Sequence, residues 1–300
     1  MRTKYSEILK KITISALFLA FALVIKTLFS FYIPIFGANG MRVSFDRIFT
    51  VFPAILFGPI YGAIVGGLSD FLGWVFKPQG AYIPWLTLTA MLGGFLQGLI
   101  WKLIRKKKNE PLKIVVVLIF AIVGILGIIN HLALNSDKLI QGFYAIQSTT
   151  VTKDVATQML GKGELSPISS LVVSLAQYTS AEAYQAKLAL YCNMLTIGLE
   201  ALSLICLVIL VLDKLIKDTG KIKKSGYFLK FIVTMIITGI TITTLNTQIL
   251  KIYLPALADR AFVLFWIPRL IEEIISCSIQ AYIVSLLFTV YINRIAPKEI

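Results

Sequence analysis

Residues 41–77 read MRVSFDRIFTVFPAILFGPIYGAIVGGLSDFLGWVFK, and the number of times this stretch crosses a membrane decides the topology of the whole chain. A bilayer core about 30 Å thick takes roughly 20 apolar residues in a helix, so the stretch is too long for one crossing. The pair Gly58-Pro59 divides it, because Gly suits a helix C-cap and Pro the first turn of the next helix. One segment is then 43–57, which holds Asp46, Arg47 and Pro53, and the other is 59–77. To either side the same ruler marks apolar runs near 12–33, 84–104, 112–133, 188–212, 227–250 and 262–292, which makes eight expected spans. Parity supports counting 43–57 as a crossing. With the N-terminus inside, 18 of the 29 basic residues then fall on the cytoplasmic side, including the Arg105–Lys108 cluster and the group from Lys214 to Lys230. That is the distribution the positive-inside rule asks for. A segment that turned back would put Arg105 and its neighbours outside.

Composition agrees. Of 300 residues, 57% are hydrophobic and the mean hydropathy is +0.83, more apolar surface than one water-soluble domain can hide. The chain is an all-α integral membrane protein. The net charge of +14 is clustered between apolar runs, which suits loops against anionic lipid better than a nucleic-acid surface. Cys192, Cys206 and Cys277 have no CxxC spacing and lie in or beside apolar runs, so neither a disulfide framework nor a metal site is expected. The first apolar run lacks a small-residue cleavage pattern and reads as a retained span.

The long hydrophilic stretch 134–187 lies outside in this topology and is charge-balanced. Ser166 before Pro167 and the capping pair Thr179 and Glu182 predict short helices there. Within the spans, polar residues are not spread evenly. Lys26, Asp46, Arg47, Asn246 and Arg269 fall toward the external ends, and Asp70, Glu272 and Glu273 near the middle. Residues 228–237 read FLKFIVTMII, whereas 241–248 read TITTLNTQ. Ionisable groups in a bilayer are costly and mark functional sites unless they neutralise one another. Polarity at one end and hydrocarbon at the other describes a binding cup with a dry floor; a pore needs polar lining throughout. Arg269 with Glu272 and Glu273, and Arg42 with Asp46, also have the spacing of self-neutralising helix pairs.

Small residues recur every four positions at Ala16 and Ala20, at Gly58, Gly62 and Gly66, and at Gly94 and Gly98, a pattern that lets helix backbones approach closely. The glycines read as packing within the chain. His131, the single histidine, reads as structural or interfacial. Nothing matches GxxxxGK[ST], HExxH or GxSxG, so the chain carries no recognisable nucleotide-hydrolysing or acyl-enzyme motif.

The lead-in RVSF at 42–45, LFGPIYGAIVGGLSDFLG at 56–73, GAYIPWLTLTA at 80–90, LNT at 245–247 and AFVLFWIPRLIEE at 261–273 resemble an S component of an energy-coupling-factor (ECF) vitamin transporter, folate family. The similarity covers about half the chain. It implies a six-helix bundle that captures a vitamin from outside and docks onto a transmembrane coupling subunit and two cytoplasmic ATPases. It also implies that the AxxxA pair Ala16 and Ala20 packs against the coupling subunit, and that the bundle tips over in the bilayer to deliver its cargo. Against the family's six helices, this chain is expected to carry four bundle spans in 1–110, an insertion with two extra spans in 111–226, and the last two bundle spans in 227–300.

Under this resemblance the expected ligand shell is Arg42, Arg47, Asp70, Trp74, Tyr82, Trp85, Asn246 and Arg269. Folate would offer carboxylates to Arg42 or Arg269 and a ring to Trp74, Trp85 or Tyr82. The acidic pair Glu272 and Glu273 suits a cationic or neutral vitamin instead. Two other classes remain open: a membrane-embedded enzyme on lipid-linked substrates using Asp46, Asp70 and Glu273, and a sensory or scaffold protein acting through 134–187.

Overall fold

A computed structural model describes residues 2–35, 38–78, 80–107, 109–134, 227–254 and 262–294, with scattered positions between 197 and 211. The described chain runs α1 (Arg2–Leu28), β1 (Phe31–Ile35), β2 (Ala38–Val43), α2 (Arg47–Phe57), α3 (Pro59–Phe76), α4 (Pro84–Ile104), α5 (Asn109–Leu134), α6 (Phe228–Tyr253) and α7 (Phe262–Arg294). Among the described residues, six helices are long and apolar enough to cross a membrane: all but α2, which has 11 residues. At about 1.5 Å per residue, α2 by itself covers only part of the hydrocarbon thickness. The external segment, with Thr179 and Glu182, lies outside the described residues apart from Leu134, as do Cys192 and Cys206, and the expected span at 188–212 is described only at scattered positions from 197 to 211.

One feature differs from the sequence reading. The run expected to continue as helix to residue 33 stops at Leu28, and β1 and β2 pair antiparallel with Phe31 opposite Val43 and Tyr32 opposite Arg42. Aromatic and β-branched residues favour that pairing, and Pro34 between Ile33 and Ile35 stands where the register shifts. The break expected at Gly58-Pro59 is present: α2 and α3 are separate helices because Gly58 adopts φ 103°, a conformation open to glycine, while Pro59 starts α3.

The chain divides into two compact units, residues 1–116 with 209–300, and residues 117–208. In the first, large apolar side chains such as Leu17, Phe21, Ile60, Phe71, Leu88 and Leu103 point outward, while Ser15, Lys26, Ser69, Thr89, Gln97, Thr243 and Glu273 are buried. This pattern reverses that of a water-soluble protein and suits a lipid surround, where apolar surface costs nothing outside and polar groups must find partners inside. Hydroxyls of α6 and α7 do so within their own helices: Thr234 donates to the Lys230 carbonyl at 2.7 Å and Thr247 to that of Thr243 at 2.6 Å.

Close helix approach comes from the glycine stripes. A Cβ on Gly94 would collide with the carbonyl of Gly62, and one on Gly98 would lie 2.7 Å from Pro59 Cα, so α4 packs backbone to backbone on α3. The end of the bundle formed by the close of α4, the start of α6 and the close of α7 is filled by aromatic rings. Trp101 stacks on Phe231 with centroids 4.5 Å apart, and Phe288 meets both edge-on at 5.6 and 5.3 Å. All three are buried, so this end is a dry plug.

In the second unit, Gly124 of α5 faces Ser203, Gly127 faces Leu199 and Glu200, and His131 Nδ1 lies 3.4 Å from Glu200 Oε1.

Candidate functional site

The polar side chains of the first unit converge at the opposite end from the aromatic plug. There they line a cavity of about 630 Å³ walled by α1, α2, α3, α4, α6 and α7 and by the loop between α3 and α4. That volume suits a vitamin-sized molecule.

Helical spacing explains the convergence. On α7, Arg269, Glu272, Glu273, Ser276 and Gln280 recur at three- and four-residue steps and share a face. On α6, Thr238, Gly239, Ile242, Thr243, Asn246, Leu250 and Tyr253 do the same. Ser69, Asp70, Gly73, Trp74 and Lys77 form the face of α3.

Four of the charged residues in the cup pair with one another. Arg47 Nη1 pairs with Glu273 Oε1 and lies 3.1 Å from Cys277 Sγ, which itself lies 3.2 Å from Glu273. Gly239 makes room for this cluster, since a Cβ there would strike Glu273 and Cys277. Lys26 Nζ donates to the Ser69 carbonyl at 2.9 Å and sits 3.5 Å from Asp70 Oδ1. The other Asp70 oxygen accepts from Thr87 Oγ1 at 2.8 Å, which leaves the Thr87 oxygen to accept from Tyr82 OH, also at 2.8 Å. Tyr82 is tilted against Trp74 with centroids 5.1 Å apart, and Trp74 Nε1 donates to the Gly80 carbonyl at 3.2 Å. Thr89 donates to Asn246 Oδ1, tying α4 to α6. Gln280 Nε2 reaches the Ser44 carbonyl at 3.1 Å, tying α7 to the lead-in of α2.

Two lining cations stand outside these pairs: Lys77, which donates to the Thr27 and Ser30 carbonyls, and Arg269. Arg269 lies over the Phe265 ring, its Cζ 5.0 Å from the centroid, and its buried Nη1 has no hydrogen-bond partner among the described residues. A buried guanidinium nitrogen left unsatisfied in a cup is an anion-binding feature, because a carboxylate can accept from it in the bidentate geometry arginine favours.

Of the residues expected in the ligand shell, Arg47, Asp70, Trp74, Tyr82, Asn246 and Arg269 line the cavity. Trp85 is not in the lining and is 54% exposed, facing away with the outer surface of α4. Arg42 sits in β2 opposite Tyr32, and its side chain lies outside the described residues. Of the set Arg269, Glu272 and Glu273, Glu273 is in ion-pair contact with Arg47, and among the described residues no contact as close joins Arg269 to either acid. The lining also includes Lys26, Thr243, Ser276 and Gln280, which the expected shell omitted. Their signal was present as the three- and four-residue recurrence of polar residues in otherwise apolar helices. Ala16 and Ala20 lie on the exposed face of α1, away from the cavity. Among the described residues, no group of three or more His, Cys, Asp or Glu is placed to hold a metal ion.

Comparison with known proteins adds a family. Residues 7–161 match the model of a family described as ECF-type riboflavin transporter, S component. The chain is also similar to the folate transporter FolT of Clostridium novyi (strain NT), 26% identical over 165 residues, which is 55% of this chain and 88% of that protein. No solved structure matches the chain.

Proposed function

The chain belongs to the ECF-type riboflavin transporter S-component family and is a multi-pass membrane subunit of a vitamin transporter; from that premise we propose that its cup captures folate or a closely related anionic vitamin. The observation that carries the reading is the buried Arg269 Nη1, which has no hydrogen-bond partner among the described residues, in a cavity where Arg47 pairs with Glu273 and Lys26 with Asp70. Folate brings glutamate carboxylates for that guanidinium and a flat ring for the Trp74–Tyr82 wall. The similarity to FolT points the same way.

The cup opens to the outside, with both termini in the cytoplasm, which the Lys and Arg distribution supports. Delivery proceeds through docking onto a transmembrane coupling subunit driven by two separate ATPases. Ala16 and Ala20 on the exposed face of α1 form the docking contact, where small side chains let a partner helix approach.

A second reading, riboflavin, is favoured by the description of the matching family. A neutral ring system would stack on Trp74 and Tyr82 but bring no carboxylate to Arg269. Native mass spectrometry of the purified chain, followed by titration with folate and with riboflavin, separates the two. Retained folate mass and preferential folate binding are expected. Retained riboflavin, or preferential binding of riboflavin, overturns the folate reading.

A further inference from the structure

We propose that Lys26 is a positioning residue of the cup, one that sets the aromatic wall through Asp70, Thr87 and Tyr82 without binding the ligand itself; the choice of probes below rests on the folate reading. Lys26 is 4% exposed and belongs to α1, a helix otherwise apolar over its second half. An ammonium buried at membrane depth needs strong compensation, and here it has the Ser69 carbonyl and the Asp70 carboxylate. The fold makes space for it: a Cβ on Gly73 would lie 2.6 Å from Lys26 Cε and 2.9 Å from Nζ, so the side chain lies in a notch that only glycine leaves open. Lys77 of the loop after α3 returns the tie, its Nζ 3.2 Å from the Thr27 carbonyl at the end of α1.

What the ammonium holds is the first link of a chain with fixed direction. Asp70 has one oxygen toward Lys26 and the other accepting from Thr87, whose oxygen accepts from Tyr82. Tyr82 then contacts Trp74 on one side and Phe71 on the other, with centroids 5.1 and 5.7 Å away. Without Lys26, the Asp70 carboxylate would keep its Thr87 bond but lose its only ion pair among the described residues, and would turn toward other donors or water. The Thr87 hydroxyl, the phenol and the ring pair would follow, since each is oriented by the group before it. Lys26 is therefore assigned to the ring end of the cup, and Arg269, on α7, to the carboxylate end.

The test uses the full chain in detergent, with folate and p-aminobenzoylglutamate, which keeps the carboxylates and lacks the pterin ring. Lys26→Met is expected to weaken folate binding by about three- to tenfold, the value of one well-placed aromatic contact. It should leave p-aminobenzoylglutamate binding unchanged. An equal loss for both probes means that Lys26 meets the carboxylates directly and overturns the proposal. Lys26→Met and Thr87→Val should be non-additive for folate, because they break the same chain. Fully additive losses overturn it. A ligand-free readout keeps the proposal separate from the folate reading: in 5-fluorotryptophan-labelled protein, Lys26→Met should shift the 19F resonance of Trp74, assigned through Trp74→Phe, and leave that of Trp101 in place. An unmoved Trp74 resonance overturns the proposal, whichever vitamin binds. A wild-type chain that binds neither probe sinks the folate reading, with the Trp74 shift still deciding the role of Lys26. If Lys26→Met does not fold, Gly73→Ala displaces the same ammonium with every charge kept, and the same shift and the same loss of folate preference are expected.

Discussion

Glu273 of α7 pairs with Arg47 at the start of α2, not with Arg269 one turn earlier in its own helix. The choice has consequences at both ends. It ties the short α2 to the long α7, and it leaves Arg269 with a buried nitrogen that has no hydrogen-bond partner among the described residues. Two arginines and one engaged carboxylate thus divide into an ion pair and a cation that lines the cavity outside it.

Arg47→Met should destabilise the bundle by about 3–5 kcal/mol, because the Glu273 carboxylate would remain buried and uncompensated. Adding Glu273→Gln should recover a large part of the loss, since the second change removes the orphaned charge. Denaturation midpoints in mixed detergent micelles for the two single variants and the double variant check this. A double variant as unstable as the sum of the single ones would show that the residues do not act as a pair.

Arg269→Ala should behave in the opposite manner. Arg269 Nη1 has no hydrogen-bond partner among the described residues, so thermal stability should stay close to wild type, while folate affinity falls by about ten- to a hundredfold on loss of a charge-assisted hydrogen bond. Isothermal titration with folate, beside a melting curve of the ligand-free protein, reads both. A stability loss with affinity preserved would place Arg269 in the scaffold and remove the main support for an anionic ligand.

Ala16→Leu with Ala20→Leu should abolish vitamin uptake in cells yet leave the binding constant of the isolated chain unchanged. Both positions are on the exposed face of α1, and neither lines the cavity. Bulk there blocks close helix approach by a partner without touching the cup. Uptake assays of cells expressing the wild-type or double-variant chain with its coupling module, paired with titration of the purified chain, provide the check, and undiminished uptake would reject the docking role.

How much of this was legible in the sequence depends on the length scale of the signal. The long apolar helices were readable because hydrocarbon thickness sets their length: the expected run 84–104 coincides with α4 (Pro84–Ile104), and 59–77 differs from α3 by one residue. The hairpin at 31–43 was not, since its strands are short and Tyr32, Ile33 and Ile35 suit the end of an apolar helix equally well. Within the cup, Asp70, Trp74, Tyr82 and Asn246 could be named because each is a polar or aromatic residue in or beside an otherwise apolar helix. Trp85 shares that description and points outward, which depends on helix rotation and not on depth. Partner choice was the hardest part. The i, i+4 spacing of Arg269 and Glu273 was visible along one helix, whereas the competing claim of Arg47 comes from a residue 226 positions away.

The packing of α3 against α4 supplies a last contrast between adjacent glycines. A Cβ on Gly94 would run into the Gly62 carbonyl and lie 3.0 Å from Ala63 N, both backbone atoms of a helix that cannot yield locally. A Cβ on its neighbour Gly93 would meet only the Ile242 side chain, at 3.3 Å, which can adjust by a small rotation. Gly94→Ala should therefore force the two helices apart and cost about 1–3 kcal/mol, the range for overfilled cores. Gly93→Ala should cost well under 1 kcal/mol, because the gain in helix propensity offsets the small shift of Ile242. Because Gly94 also lines the cavity, its substitution should weaken ligand binding as well as stability. Equal stability of the two variants in detergent melts would mean that α3 and α4 are not in backbone contact, and that the four-residue glycine stripe has a different role.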